Sequence, residues 1–141
     1  MSNSIPDCCQ VEVDVRFVRA VDLETVKQEI SHICAVSHID GTYTEVEFLN
    51  SIPVFEKRDS NLRLLRLVNQ AAEEYDLPPF GEAFPGGSSD TSYVALTGIP
   101  AICSCGVQGK GAHTMEEEAV VETLFQRAKV FASAIVKLAG L

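Results

Sequence analysis

A single glycine-rich run, PGGSSDTSYVALTGIPAICSCGVQGKGAHTMEE, occupies residues 85–117 and permits few local structures. Gly86 and Gly87 allow a sharp turn, because glycine adopts backbone angles that other residues avoid. The Ser-Ser-Asp sequence at residues 88–90 then supplies hydroxyl and carboxylate groups that commonly open a helix. The free N–H groups of such a helix end attract carboxylates and phosphates. This part of the run predicts a helix start, with anion binding as an alternative role for the same groups.

The same run ends in a second glycine-rich loop that carries one histidine. Gly109 and Gly111 precede His113, and Thr114 and Glu117 follow with the spacing of a capping box. The last helix is therefore predicted to begin after Thr114, with His113 just outside it. Two interpretations remain open, a functional histidine held by the cap and an ordinary exposed histidine before a capped helix.

Composition and charge exclude several classes of protein. The chain of 141 residues is 46% hydrophobic and 22% charged, which is typical of soluble globular proteins. It has neither a run of about 18 apolar residues nor a signal peptide pattern, so we expect a cytoplasmic protein without a membrane partner. The net charge of -9, with 11 scattered Lys and Arg residues, argues against nucleic acid binding.

The five cysteines do not form a metal-binding pattern. Cys8 and Cys9 are adjacent, and Cys103 and Cys105 are separated by one residue, unlike the C-x-x-C spacing of structural zinc sites. Both pairs lie in or beside apolar, strand-like segments. Buried reduced thiols are therefore favoured over a redox role.

The first third of the chain has a strand-helix-strand pattern. Residues 10–17 and residues 43–48 alternate between apolar and polar side chains, as half-buried strands do. Between them, Asp22 can cap a helix with an apolar stripe formed by Leu23, Val26, Ile30 and Ile33. Two strands are too few for a stable sheet, so another chain or further sequence must supply their neighbours.

Residues 50–58 suit a crossing between two structural units, and the rest of the chain alternates between predicted helices and short apolar segments. The elements expected there are a helix from Asp59 or Ser60 to Pro78, a strand over residues 80–84, a helix of two turns from Asp90 to Gly98, a strand over residues 101–107 and a last helix from Thr114 to about Leu138. The acidic residues 116–118 would crowd the first turn of the last helix and Lys137 its end. This order predicts an α/β fold in which the last helix packs on a sheet.

Three motifs occur in order along the chain and cover nearly all of it. They are Asn3-Ser4-Ile5-Pro6 with Asp14-Val15-Arg16, Gly86-Gly87-Ser88-Ser89-Asp90 with Gly98-Ile99-Pro100, and Gly109-x-Gly111-x-His113-Thr114-x-x-Glu117. Together they resemble the zinc metallopeptidase family that includes glutamate carboxypeptidase, acetylornithine deacetylase and succinyl-diaminopimelate desuccinylase, especially its carboxypeptidase-like branch. The resemblance implies that residues 1–54 are part of an α+β lid and dimerisation domain. Residues 55–141 would be the C-terminal segment of an α/β catalytic domain.

By this resemblance, His113 is a ligand of one zinc ion in a two-metal site. Residues 116–118 are explained most simply by a helix start, and the alternative role for Glu117 is to orient the His113 imidazole. Ser88 and Ser89 would hold a substrate carboxylate, and an ordinary helix start remains the alternative for them.

The resemblance also assigns two residues of the lid-like part. Arg16 matches an arginine that grips the substrate carboxylate, and its alternative is an ion pair with Glu12 or a neighbouring acid. Asn3 matches an asparagine that reaches into the active site of the neighbouring subunit, and its alternative is a turn residue before Pro6. The resemblance therefore implies a homodimer formed through the lid-like half and an acyl-amino-acid or peptide substrate.

The remaining chemistry of the family is missing from this sequence. Its H-x-D pair, bridging Asp, Glu-Glu pair and further acidic ligand all lie upstream of Met1, and His38-Ile39-Asp40 has the H-x-D spacing in the wrong order relative to the lid motif. No catalytic residue is expected in this chain, because one histidine does not hold two zinc ions. We expect the C-terminal part of a metal-dependent hydrolase that cleaves an amide next to a free carboxylate and is inactive without an N-terminal half-chain. The alternatives are a non-catalytic dimerisation or regulatory module and a truncated gene product.

Overall fold

The computed structural model of the protein describes residues 5–83 and 88–140. The elements in these ranges are α1 (Asp22–Cys34), α2 (Asp59–Glu73), α3 (Thr91–Leu96), β1 (Gly109–Lys110), β2 (Glu118–Ala119) and α4 (Val121–Ala139). The two strands pair antiparallel, with Gly109 opposite Ala119 and Lys110 opposite Glu118. The architecture therefore contains both helix and strand, as an α/β chain should, although helix dominates the described part.

The core lies between α2 and α4. Its buried residues are Val68, Ala71 and Ala72 from α2 and Val130 and Ala134 from α4. Small side chains at these positions let the two helices approach closely, so the few residues at the contact are tightly packed. At one end of the contact, Glu74 accepts a hydrogen bond from Ser133 and pairs with Lys137, and both interactions hold the pKa of the Glu74 carboxyl below its usual range.

The sequence predicted α1, α2 and α3 well. Apolar residues at helical spacing and the two prolines that follow them, Pro78 and Pro79, located α2, which begins at Asp59 and ends at Glu73. The two-turn helix predicted from Asp90 is α3, and Gly98 follows it with φ 81°, a backbone angle that suits glycine. These three predictions are confirmed because each helix is specified by local sequence.

The predicted strand over residues 80–84 is wrong for residues 80–83, and Phe84 lies outside the described residues. The side chain of Asn69 bonds the Phe80 backbone instead, accepting from its N–H at 2.8 Å and donating to its carbonyl at 3.1 Å. The Phe80 ring packs against Phe131 at a centroid distance of 6.0 Å and lies under the Arg127 guanidinium. A side-chain amide thus takes the place of a neighbouring strand.

The predicted strands over residues 10–17, 43–48 and 101–107 are also not formed as regular strands. Alternation and apolar content describe the faces that a strand would have, but a strand also needs hydrogen-bonding neighbours. Helix α1 illustrates the consequence, since none of its residues is buried and Ile33 in its apolar stripe is 63% exposed. The sheet that this stripe was predicted to cover is not present among the described residues.

Helix α4 begins at Val121, whereas the sequence predicted a start directly after Thr114. The Val120 N–H donates to the Gln108 carbonyl at 2.8 Å, and the Gln108 N–H donates to the Thr123 hydroxyl at 2.9 Å. These bonds extend the β1–β2 pairing up to the start of α4, so the residues 116–118 lie in the hairpin and not in a first helical turn. Lys137 lies near the end of α4 as predicted, and Gly140 ends the helix with φ 69°. Neither α4 nor any other helix in the described part of the chain is long and apolar enough to cross a membrane.

The folded chain has a large apolar surface. Its accessible surface is 11714 Å², whereas a compact monomer of 15.3 kDa would expose about 7,100 Å². Exposed large apolar side chains on several parts of the chain contribute to this excess. They include Val11 and Val13 before α1, Phe48 and Leu49 after it, and Leu124, Phe125, Ile135 and Leu138 on α4. The small core and the exposed apolar faces indicate surfaces that suit burial against further polypeptide.

Candidate functional site

The serine turn, residues 88–91, leads into α3, and hydrogen bonds between its own residues orient its hydroxyl groups. The Ser89 hydroxyl accepts from the Thr91 N–H at 3.2 Å and lies 3.1 Å from the Thr91 hydroxyl. The Ser89 carbonyl accepts from the Ser92 N–H at 2.9 Å and so starts the helix. Ser88 is exposed, and the Asp90 side chain makes no cap hydrogen bond. The helix start expected from sequence is present, with Ser89 and not Asp90 as its side-chain acceptor.

The first turn of α2 positions this region. Arg58 donates to the Ala95 carbonyl at 2.8 Å and thereby holds the C-terminal end of α3. The buried Asn61 amide accepts from the Ala101 N–H at 3.1 Å and donates to the Glu56 carbonyl at 3.3 Å. Because a buried amide needs partners for both of its ends, Asn61 fixes the start of the segment that leads to Cys103.

His113 lies in the loop between β1 and β2. Gly109 has no room for a side chain, since a Cβ there would collide with the Glu118 carbonyl oxygen. Gly111 and His113 have φ values of 69° and 67°, and the Thr114 hydroxyl closes the turn by donating to the Gly111 carbonyl at 2.7 Å. The hairpin therefore holds a non-glycine residue in the left-handed region and exposes its imidazole to solvent.

The predicted capping box does not form. The Thr114 hydroxyl accepts from the Glu116 N–H at 3.2 Å, and the Glu117 N–H donates to the Thr114 carbonyl at 3.3 Å, which makes a turn within the hairpin. No hydrogen bond joins the Glu117 carboxylate to the His113 imidazole within residues 5–83 and 88–140. Both side chains are exposed.

A zinc site needs three or four ligands, and the chain's described residues contain no group of three or more His, Cys, Asp or Glu side chains that could hold a metal. His113 alone does not meet this requirement. The described residues therefore do not fit zinc by themselves.

Arg16 pairs with Asp14, its neighbour in the lid-like motif. Both Nε and Nη2 of Arg16 lie 2.9 Å from the same Asp14 oxygen, and the two side chains are 66% and 71% exposed. An exposed pair of this kind contributes less than about 1 kcal/mol to stability. This is the ion pair with a neighbouring acid that the sequence left open, with Asp14 in place of Glu12. Asn3 lies outside the described residues, as do Gly86 and Gly87.

Two cavities in the described part of the chain are lined by residues other than the predicted site residues. One cavity of about 400 Å³ is lined by Val18, Arg19, Phe55, Glu56 and Lys57. Glu56 in this lining accepts a hydrogen bond from the Ala20 N–H at 2.8 Å. Ser88, Ser89, Arg16 and His113 do not line this cavity.

The sequence over residues 7–137 matches the family described as Peptidase family M20/M25/M40. The chain belongs to this family. Among curated proteins it is similar to carboxypeptidase G2 of Pseudomonas sp. (strain RS-16), with 26% identity over 120 residues that cover 85% of this chain. The matched stretch is 29% of the length of carboxypeptidase G2, so the chain spans less than a third of this relative. No solved structure matches the chain.

Membership of Peptidase family M20/M25/M40 confirms the resemblance that the three motifs carried. The family is one of metallopeptidase-type hydrolases and is generally zinc-dependent. The match runs through both the lid-like half and the half that carries His113. The boundary at residue 54 and the roles of single residues stay predictions.

One contact in this family member was missed by sequence analysis. The Ser89 hydroxyl lies 2.9 Å from the Cys103 sulfur, although 14 residues separate them. The cysteines were predicted to be buried, which is wrong for Cys8, Cys9 and Cys103 because all three are exposed. The only sequence signal for the contact between Ser89 and Cys103 was that these two residues lie on either side of the same predicted short helix.

Proposed function

We propose that this chain is the C-terminal part of a metal-dependent hydrolase that cleaves an amide bond next to a free carboxylate, with His113 as one metal ligand. The observation that carries the proposal is the hairpin that exposes His113, within a chain that matches a peptidase family over residues 7–137. Gly111, Thr114 and the β1–β2 pairing fix the backbone on both sides of the imidazole. A rigid backbone supports metal binding because a ligand must keep its direction.

The substrate is an N-acyl amino acid or a peptide, and its free carboxylate is the recognition group. Ser88 and Ser89 supply hydroxyl donors at the start of α3, and Arg16 supplies a planar guanidinium that suits a carboxylate. Asn3 is assigned to the same task in the neighbouring subunit of a homodimer formed through residues 1–54. The proposal for Arg16 requires that a substrate carboxylate compete with Asp14, with which Arg16 forms an exposed ion pair.

Zinc is the metal that the family implies, and the described residues offer it one donor. The other ligands and the general base must then come from polypeptide outside this chain, such as an N-terminal half-chain. The isolated chain is therefore expected to bind no zinc through His113 and to have no activity.

The first experiment incubates the pure chain with zinc and a panel of N-acyl amino acids and dipeptides. No turnover above the zinc blank is expected, because one histidine cannot assemble the site. Turnover that is lost in His113→Ala, and retained in the matched control His38→Ala, would show that the chain holds a complete site and would contradict the proposal.

A non-catalytic dimerisation or regulatory module is the second candidate, whether as a natural protein or as a truncated product. The exposed valines at positions 11 and 13, in a segment with strand-like alternation, favour it because such an edge can pair with a second copy. Light scattering combined with metal analysis separates the two candidates. A stable dimer that takes up no zinc even with an N-terminal half-chain supports the module, whereas zinc uptake in that mixture supports the hydrolase.

A further inference from the structure

Two thiols and three hydroxyl groups meet where the segment after α3 passes the serine turn. The Cys103 sulfur lies 2.9 Å from the Ser89 hydroxyl and accepts a longer contact of 3.9 Å from the Ser104 hydroxyl. The Thr91 hydroxyl completes the group through its bond with Ser89. Cys103 is also exposed, so reagents in solution reach it.

The second thiol of the group, that of Cys105, is folded back onto the backbone of Ile102 and Cys103. Its sulfur lies 3.7 Å from the Cys103 carbonyl oxygen and 3.8 Å from that of Ile102. Ser104 between the two cysteines has φ 59°, in the left-handed region, so the chain is not extended there. A fully extended chain would separate the two Cα atoms by about 7 Å, at the limit of what a disulfide spans, and a bend shortens this separation.

The surroundings make the two thiols unequal. Hydrogen bonds from hydroxyl groups, that of Ser89 first, lower the pKa of Cys103 despite partial burial. Burial and then the nearby Cys103 raise the pKa of Cys105, and the Arg127 charge only partly opposes this. Cys103 is therefore the better source of a thiolate, and Cys105 keeps its proton longer.

We propose that Cys103 and Cys105 are an oxidation site for hydroperoxides, in which Cys103 is the attacking thiolate and Cys105 the thiol that resolves its oxidised form. The Cys103 thiolate attacks one peroxide oxygen, the O–O bond breaks, and the departing oxygen leaves as hydroxide or alkoxide and takes up a proton. The Cys103 sulfur loses two electrons and becomes a sulfenic acid. The Cys105 sulfur then attacks it, an S–S bond replaces the S–O bond, and the hydroxide leaves with the Cys105 proton as water.

The remaining cysteines are controls within the same molecule. Cys8 and Cys9 are exposed, but neither sulfur has a hydrogen-bonding partner in the described ranges, and Cys34 is half-buried on α1. Exposure alone therefore predicts equal oxidation of Cys8, Cys9 and Cys103, whereas the hydroxyl contacts predict preference for Cys103. This proposal does not depend on the hydrolase function.

The test treats the fully reduced chain at neutral pH with hydrogen peroxide near stoichiometric amounts and maps the products by mass spectrometry. The expected product has lost two hydrogen atoms and carries a disulfide between Cys103 and Cys105. In Cys105→Ser, dimedone should label a sulfenic acid at Cys103 at least about threefold faster than at Cys9. A modest factor is expected because a lower pKa increases the thiolate fraction but weakens its nucleophilicity.

Ser89→Ala tests the cause of the preference, and Ser37→Ala is the matched control, since Ser37 bonds only the turn around Ile39 and Thr42. In the Cys105→Ser background, Ser89→Ala should reduce dimedone labelling of Cys103 about twofold or more, and Ser37→Ala should leave it unchanged. Equal loss of the reduced thiol at Cys8, Cys9 and Cys103 in the peroxide-treated parent chain would contradict the proposal. A disulfide found only between Cys8 and Cys9 would also contradict it. Both outcomes are measured on the parent sequence, so they do not depend on the folding of a variant.

Discussion

At the scale of single residues, the loop that carries His113 depends on left-handed backbone at two nearby positions. Gly111 adopts φ 69° without cost, whereas His113 at φ 67° occupies a region that side chains usually avoid, although histidine enters it more often than most. Unfavourable backbone of this kind persists where the surrounding structure enforces it, and such positions cluster at functional sites. The hairpin bonds of Thr114 supply that enforcement.

Gly111→Ala should weaken this hairpin. Its new Cβ would lie 2.8 Å from the Glu116 carbonyl oxygen and would also strain the positive φ, with a cost of about 1–2 kcal/mol. The measurement is hydrogen exchange of the Val120 amide, which bonds the Gln108 carbonyl across the end of the hairpin. Faster exchange is expected.

Gly106→Ala is the matched control, because a Cβ at Gly106 meets no atom within 4 Å and no positive φ is involved. It should leave exchange at Val120 unchanged. Equal exchange rates in Gly111→Ala and the parent chain would show that the hairpin does not need glycine there, contrary to the geometry.

At the scale of secondary structure, the pair of α2 and α4 holds the described core. Val130 is fully buried in α4 between the small residues of α2, and Val136 on the same helix is 47% exposed. The two positions allow the same chemical change to be made in two environments. The comparison separates the effect of lost packing on the free energy of unfolding from the effect of helix propensity.

Val130→Ala should lower the free energy of unfolding by about 2 kcal/mol, since it removes buried methyl groups and leaves a cavity. Val136→Ala should change it by less than about 0.5 kcal/mol, as expected of a partly exposed position. Urea unfolding followed by circular dichroism measures both. Similar losses for the two variants would indicate that α2 and α4 do not pack through Val130.

Helices were predicted better than strands and boundaries because helices are specified locally. Asp59 and the apolar spacing after it suffice for α2, whereas residues 10–17 need partner strands that no local pattern supplies. The start of α4 was misplaced because the Thr114-x-x-Glu117 spacing also fits a turn, and pairing of Gln108 with Val120 favours the turn. Long-range hydrogen bonds of this kind cannot be found from spacing alone.

The candidate site was predictable to a similar extent. The glycine pattern located His113 in an exposed loop, and the spacing of Ser88-Ser89-Asp90 located a helix start. The contact between Ser89 and Cys103 depends on how α3 folds back, so it was found only in the structure. The partners of His113 were not predictable here, because its proposed co-ligands are not among the described residues.

At the scale of the whole molecule, the chain is a family member with a small core and a large apolar surface. It matches carboxypeptidase G2 over 29% of that protein's length, and its accessible surface of 11714 Å² exceeds the value for a compact monomer of its mass by more than half. Both facts support the proposal that further polypeptide covers this surface and completes the metal site. The central claim is then that His113 binds metal only in such a completed assembly.

The most direct measurement is the zinc content of a chimera in which residues 7–137 replace the matching stretch of carboxypeptidase G2. The chimera should retain zinc after dialysis, His113→Ala should lower the zinc bound per chain, and the matched variant His38→Ala should not. Circular dichroism establishes that the chimera and both variants are equally folded. Equal zinc content in His113→Ala and His38→Ala would contradict the claim that His113 is a metal ligand.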